Sequence, residues 1–217
     1  MERDIVDGQS AANQPVGIDL VAPEVFAPML RRLALAAFGV GVGATLLAAV
    51  WLSWPVAILI GLAVAVPTIA YVFAFARRRM WLSGTVIRAH RLLGERTFDI
   101  ATATGVQLLV YPGRLRRIVL KLSTDTDTQL VPLAMYTDAG SGRELHLLGL
   151  RKLADALAAS ELVAAIAISE VLVQQLRAEA RDAALGERPL YRAVQSAPTT
   201  PGVAPVALTD SEVAALS

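Results

Sequence analysis

The chain has no cysteine, which excludes disulfides, thiolate nucleophiles and cysteine-bound metals. It has two histidines, His90 and His146, and neither has the second close ligand that a zinc site requires. Lysine is almost missing: Lys121 and Lys152 are the two, leaving 20 − 2 = 18 arginines. The formal charge is +1 over 217 residues, so no general excess of positive charge points to nucleic acid. Two long stretches, Leu33–Leu52 and Val56–Ala76, contain no charged residue at all. A third, from Leu150 to Leu185, contains no Gly and no Pro.

The uncharged stretches organise the rest. The chain is 55% hydrophobic with a mean hydropathy of +0.53. Each uncharged stretch is roughly 20 residues, enough at ~1.5 Å rise per residue to cross a ~30 Å hydrocarbon core. They read as two transmembrane helices, 33–52 and 56–76, within a hairpin segment spanning 31–79. Ser53, Trp54 and Pro55 join them, and so short a connection fixes an antiparallel hairpin. Pro55 suits the first turn of the second helix, where no N–H is needed. Trp51 and Trp54 mark one interfacial belt and Trp81 the other. Arg31 and Arg32 precede the first span, and Arg77, Arg78 and Arg79 follow the second. The positive-inside rule then places both termini in the cytoplasm of a bacterial cell, with the hairpin in the plasma membrane.

Within the hairpin, Gly39 and Gly43 lie four apart on one helical face. Gly61 and Ala65 supply a matching groove of small residues on the second helix. Pro67 removes one backbone hydrogen bond and predicts a bend. Neither span holds a titratable group, which argues against a proton or ion path.

Residues 1–30 are expected to be a largely disordered cytoplasmic segment, with a short helix beginning near Pro23. After the arginines the periodicity shortens to that of strands. The expected strands are Thr85–Arg91, Arg96–Asp99, Val106–Tyr111, Leu115–Ser123, Gln129–Met135 and Glu144–Leu147. In the fourth, Ile118, Leu120 and Leu122 face one way, and Arg117, Val119 and Lys121 the other. Beyond Leu150 the pattern becomes helical. Leu150, Leu153, Ala154 and Leu157 form one stripe, and Leu162, Ile166, Val173 and Leu176 a second, with Ser160 as its cap. This additional helix is expected over 161–185 and ends at Gly186. Residues 186–217, with Pro198, Pro201 and Pro205, read as a disordered tail. The fold class is α+β: a two-helix transmembrane hairpin, then a small antiparallel β domain with C-terminal helices.

The order of parts resembles a known group. A membrane hairpin is followed by Gly84-Thr85-Val86-Ile87, by Asp99-Ile100-Ala101 before a further strand, and by a closing helix with Leu153-Ala154-Asp155-Ala156-Leu157. This arrangement is similar to bacterial PH-like domains of the actinobacterial type attached to membrane hairpins, over roughly residues 81–160. The resemblance implies a strongly bent antiparallel sheet capped by a helix, and implies little about activity.

No catalytic constellation emerges. Asp125 and Asp127 begin like a calcium loop, but Leu130 and Tyr136 stand where its Gly and Glu belong, so a hairpin turn is expected. Ser141 lacks the context of a nucleophile elbow. The reading is of a protein that is not an enzyme and has no cofactor and no metal. Arginine is the remaining polar signal. Arg88, Arg91 and Arg96 lie on the first expected hairpin, and Arg114, Arg116 and Arg117 on the next. Their planar forks suit phosphate, so these six are the candidate contacts to anionic lipid. Two functions follow: a membrane-anchored module that binds a protein partner or its own copies, or a lipid-binding module at the inner membrane surface.

Overall fold

The computed structural model describes residues 14–20, 23–76, 79–91, 94–138, 140–196 and 204–216. They divide into two units: residues 1–20, 80–88 and 97–217 in one, and 21–79 with 89–96 in the other.

The second unit carries the hairpin. Helix α1 runs Pro23–Ala49 and helix α2 runs Trp54–Ala76. Both are long and apolar enough to cross a membrane, over Pro28–Ala49 and Trp54–Val72. Their large apolar side chains point outward: Leu35 and Leu47, for example, are 71% and 73% exposed. α1 starts well before the expected span and passes through Arg31 and Arg32, both exposed. α2 continues through Pro67. Arg77 and Arg78 lie outside the described residues.

The small-residue seam between the helices differs from expectation. Gly61 and Ala65 line it, but Gly39 and Gly43 do not; a methyl group at either would meet nothing within 4 Å. Gly41 faces the seam instead. A methyl group there would come within 2.7 Å of the Ala65 Cβ and 3.0 Å of the Gly61 carbonyl oxygen. Thr45, one turn on, packs against Gly61 and donates its hydroxyl to the Gly41 carbonyl at 2.9 Å. The working pattern is therefore Gly41 and Thr45 against Gly61 and Ala65.

Two antiparallel sheets form, one within the first unit and the other mostly so, its residues 79, 89–91 and 94–96 counting with the second. One has the order β1-β2-β3-β4, with β1 Val16–Gly17, β2 Arg79–Ser83, β3 Val86–Arg91 and β4 Gly94–Asp99. The other has the order β8-β7-β6-β5-β9. Its strands are β5 Gly105–Tyr111, β6 Leu115–Ser123, β7 Thr128–Thr137, β8 Gly142–Glu144 and β9 Val206–Ala207. Five of the six expected strands form within a few residues of their expected bounds; the sixth, expected over Glu144–Leu147, forms instead as Gly142–Glu144, because Leu147 already starts a helix. Three more were not anticipated. β1 belongs to the expected disordered segment, yet Val16 pairs with Leu82 and Ile18 is fully buried. β2 begins on Arg79 and contains Trp81, residues read as membrane-flanking. β9 lies in the expected disordered tail.

Pairing across the hairpin fixes how the chain leaves and re-enters this unit. Ile18 donates its N–H to the Met80 carbonyl at 2.9 Å, and Met80 donates back to the Asp19 carboxylate at 3.2 Å to each oxygen. The hairpin is thus an insertion between two neighbouring strands of one sheet.

Helix α3 spans Leu147–Ala158, α4 Val163–Ala180, α5 Pro189–Ser196 and α6 Asp210–Ala214. Leu150, Leu153, Ala154 and Leu157 are buried as their stripe predicts. On α4 the buried face is rotated from the expected one. Ala165, Ile168, Ser169, Leu172 and Gln175 face inward, and Ile166 is 43% exposed. Small side chains let α3 and α4 approach closely, and the Ser169 hydroxyl donates to the Ala154 carbonyl at 2.9 Å. Leu162, not Ser160, occupies the helix cap, although the Ser160 hydroxyl accepts the Leu162 N–H at 3.3 Å.

α4 ends before Gly186. Asp182 sits at φ 52°, the left-handed position that usually holds glycine, Ala183 N–H reaches the Ala178 carbonyl at 2.9 Å, and Asp182 N–H reaches that of Glu179 at 3.0 Å. Those two bonds form the Schellman stop. The tail is also corrected: Leu190, Ala193, Val194, Leu208, Val213 and Leu216 all join the core.

Candidate functional site

The candidate arginines differ in exposure and in partners. Arg88 on β3 is exposed, and Arg96 on β4 is half-buried. For Arg91 only the strand backbone is described. Arg114 follows Gly113, whose φ of +143° lets the chain turn between β5 and β6, and is exposed. Arg117 is exposed on β6 directly across from Tyr111, with its guanidinium 5.5 Å from the centre of that ring. Arg116 is half-buried and lies 3.5 Å from the Asp138 carboxylate. Because side chains alternate along a strand, Arg116 and Arg117 leave opposite faces of β6. An aromatic platform holds one and a carboxylate answers the other. Arg114 and Arg117 are the two arginines of this turn that meet solvent.

The remaining sequence candidates have ordinary placements. His90 is exposed on β3, and His146 precedes α3 without capping it. Asp125 and Asp127 lie in the β6–β7 turn, where Asp127 N–H donates to the Thr124 hydroxyl at 3.1 Å. Ser141 and Thr137 hydroxyls meet at 2.7 Å beside the β7–β8 turn. Among the described residues no three of His, Asp and Glu come together to hold a metal ion.

A buried polar cluster that no sequence pattern indicated lies at the end of β8. The Glu144 side chain is 9% exposed. One oxygen accepts the Tyr136 hydroxyl at 2.5 Å; the other accepts Gln175 Nε2 and Arg188 Nη1, each at 2.9 Å. Gln175 is fully buried and accepts the Leu190 N–H at 3.1 Å, and Arg188 Nε donates to the Ala183 carbonyl at 3.2 Å. Tyr136 also meets the Tyr191 ring edge-on, with centroids 5.1 Å apart. Burial, and then the hydrogen bond to Glu144, push the Tyr136 phenol far above its ordinary range. It stays protonated and donates. Glu179 borders the cluster with one carboxylate oxygen buried and without a partner. Burial first, and then the Glu144 charge, raise its pKa, against a lowering by Arg188. Chemically this is a tie, joining β7, β8, α4 and the start of α5. Its donors and acceptors are consumed by one another, so it offers no free nucleophile.

No family model, no curated protein and no solved structure matches the chain.

Proposed function

We propose that this chain is a membrane-anchored interaction module: the hairpin spans the plasma membrane and the α+β unit binds a protein on the cytoplasmic side. The observation that carries this reading is the insertion of an outward-facing apolar hairpin between β1 and β2. A chain that leaves and re-enters a folded sheet at adjacent strands keeps both ends of the hairpin on one side. Arginines at 31, 32 and 77–79 favour the cytoplasmic side. Only residues 77 and 78 separate α2 from β2, so the folded unit is tethered at the surface. The likeness to PH-like domains belongs to the same reading, supported by antiparallel strands followed by the apolar-faced α3.

The test is purification of the full chain in mild detergent, with a search for one stoichiometric companion. Reporter fusions at residue 1 and after residue 217 should both register cytoplasm, and a C-terminus outside the cell refutes the topology. The lipid-binding reading is favoured by one observation, the exposed Arg114 and Arg117 at the β5–β6 turn. A basic residue near an anionic surface contributes ~1 kcal/mol. Salt-sensitive adhesion to phosphatidylserine vesicles that is lost on changing both arginines to Glu, with no companion protein, selects that reading.

A further inference from the structure

The C-terminal residues 204–216 complete the five-stranded sheet through a short strand and a few buried anchors. β9 pairs just two residues with β5, Ala207 to Leu109 and Val206 to Val110. Beyond these pairs, Leu208 N–H donates to the Leu108 carbonyl at 2.9 Å. Without this segment β5 presents a bare edge of seven residues, the kind of edge that takes an added strand. Three apolar anchors, Leu208, Val213 and Leu216, then sink into the core at 7%, 4% and 5% exposure. Between Leu208 and Val213, Thr209 and Glu212 form a reciprocal capping box that starts α6. Arg192 of α5 closes the far end by donating to the Ala215 carbonyl at 3.0 Å. The segment thus carries its own strand, cap, helix and anchors.

We propose that residues 204–216 are an exchangeable strap, and that the groove it fills on the β5 edge and α4 accepts the same segment from a second copy of this chain. The occupant follows from the structure itself: the groove is already complementary to this segment. A swapped copy makes the same bonds at no cost in new contacts. Nine residues lie between Ser196 and Val206. Extended, they reach roughly 30 Å at ~3.3–3.6 Å each, enough to cross to a neighbour. Pro198, Pro201 and Pro205 limit their ability to pair into a sheet of their own. Anchoring two copies in one membrane raises their mutual concentration and favours exchange. In that respect the inference deepens the reading as a membrane-anchored module by naming a second copy as the partner.

The absence of native cysteine makes a direct test available. Leu109 and Ala207 form a non-hydrogen-bonded antiparallel pair, with Cα atoms about 4.5 Å apart, within disulfide range. One full chain carries Leu109→Cys, another carries Ala207→Cys, and the two are co-expressed and oxidised in mild detergent. Neither can bridge itself, so a covalent dimer on a non-reducing gel reports exchange. We expect the dimer, and expect it to disappear when the Ala207→Cys chain also carries Val213→Asp and Leu216→Asp. A chain with both cysteines serves as the geometric control and should bridge internally. If it bridges while the mixed pair gives no dimer, the strap is a fixed part of its own core and the proposal fails. A control chain that does not bridge removes the β5–β9 register and the proposal with it. Dimer that survives the two Asp substitutions reports collision, which also overturns exchange. Any of these failures leaves a co-purifying companion protein, and so the broader reading, untouched.

Discussion

Replacing Glu144 with Ala should open the first unit more than any other single polar substitution in it. The carboxylate accepts from Tyr136, Gln175 and Arg188 at 2.5, 2.9 and 2.9 Å. Removing it leaves a buried phenol, a buried amide and a guanidinium at 21% exposure without their acceptor. Breaking a buried pair by deleting one partner costs about 3–5 kcal/mol, because the other charge stays behind. Arg188 reaches some water, so the lower end, about 3 kcal/mol, applies. Tyr136→Phe keeps the edge-on contact with Tyr191 and loses one bond to a charged acceptor, about 1.5–3 kcal/mol.

The measurement is hydrogen exchange on the full chain in mild detergent, read in peptides covering 128–145 and 163–196. A loss of about 3 kcal/mol corresponds to a roughly 100-fold faster opening, since each 1.4 kcal/mol is tenfold. Amides of α1 and α2 serve as the internal reference and should not change. Acceleration below about fivefold, near 1 kcal/mol, would show that the cluster is only decoration on a unit held by its apolar core.

Three further outcomes are expected. Gly41→Leu should lower the detergent stability of the hairpin by about 1–3 kcal/mol, the usual cost of overpacking, because its side chain meets Ala65 and the Gly61 backbone; Gly43→Leu should be nearly silent, and equal sensitivity refutes the assignment of the seam. Asp182→Gly should stabilise α4 by up to about 1 kcal/mol, since φ of 52° suits glycine; a lower urea midpoint would mean that the Asp182 side chain matters more than its backbone. Glu179 has a raised folded-state pKa, so its contribution is complete below the unfolded value of about 4.3 and is lost as pH rises through the folded one. Glu179→Gln should therefore exceed the parent in urea midpoint at neutral pH, with the gap closing toward pH ~4, followed by Trp81 fluorescence in a chain with Trp51 and Trp54 changed to Phe. A gap independent of pH refutes it.

The strands that could be read from sequence are those with punctuation beside them. Pro112-Gly113, Thr124 to Asp127 and Gly140 to Gly142 bracket β5 to β8; the bounds of β5 to β7 are legible within a few residues, whereas β8 ends at Glu144, where the expected strand begins. β1, β2 and β9 are two to five residues long, too short for a period to show, and β1 and β9 pair with distant partners. β2 was further hidden because its arginine and tryptophan also fit a membrane flank. The tail did carry signals: Thr209-x-x-Glu212 is a capping box, and Pro189 followed by Leu190, Ala193 and Val194 is a helix start with one apolar stripe. Prolines at 198, 201 and 205 point the other way, toward an irregular segment. The Glu144 cluster was not legible at all. Gln175 and Arg188 lie 31 and 44 residues beyond Glu144, and no local pattern links a carboxylate to so distant an amide and guanidinium.

The insertion of the hairpin also bears on the order of assembly. Asp19 and Met80 are 61 residues apart in sequence and meet through the Met80 N–H. Closing a flexible loop of that length costs about 4 kcal/mol by chain entropy. A two-residue ladder contributes about 1 kcal/mol per net hydrogen bond, too little to close the loop unaided. An antiparallel pair of helices returns the chain toward its starting point, so most of that entropy is already lost once the hairpin has formed. The seam at Gly41, Thr45, Gly61 and Ala65 therefore supports β1 through the covalent chain, with no direct contact required. Conversely, β1 is the element most exposed to a loosened hairpin: its pairing depends on closure, while β5 to β8 are joined by short turns and do not.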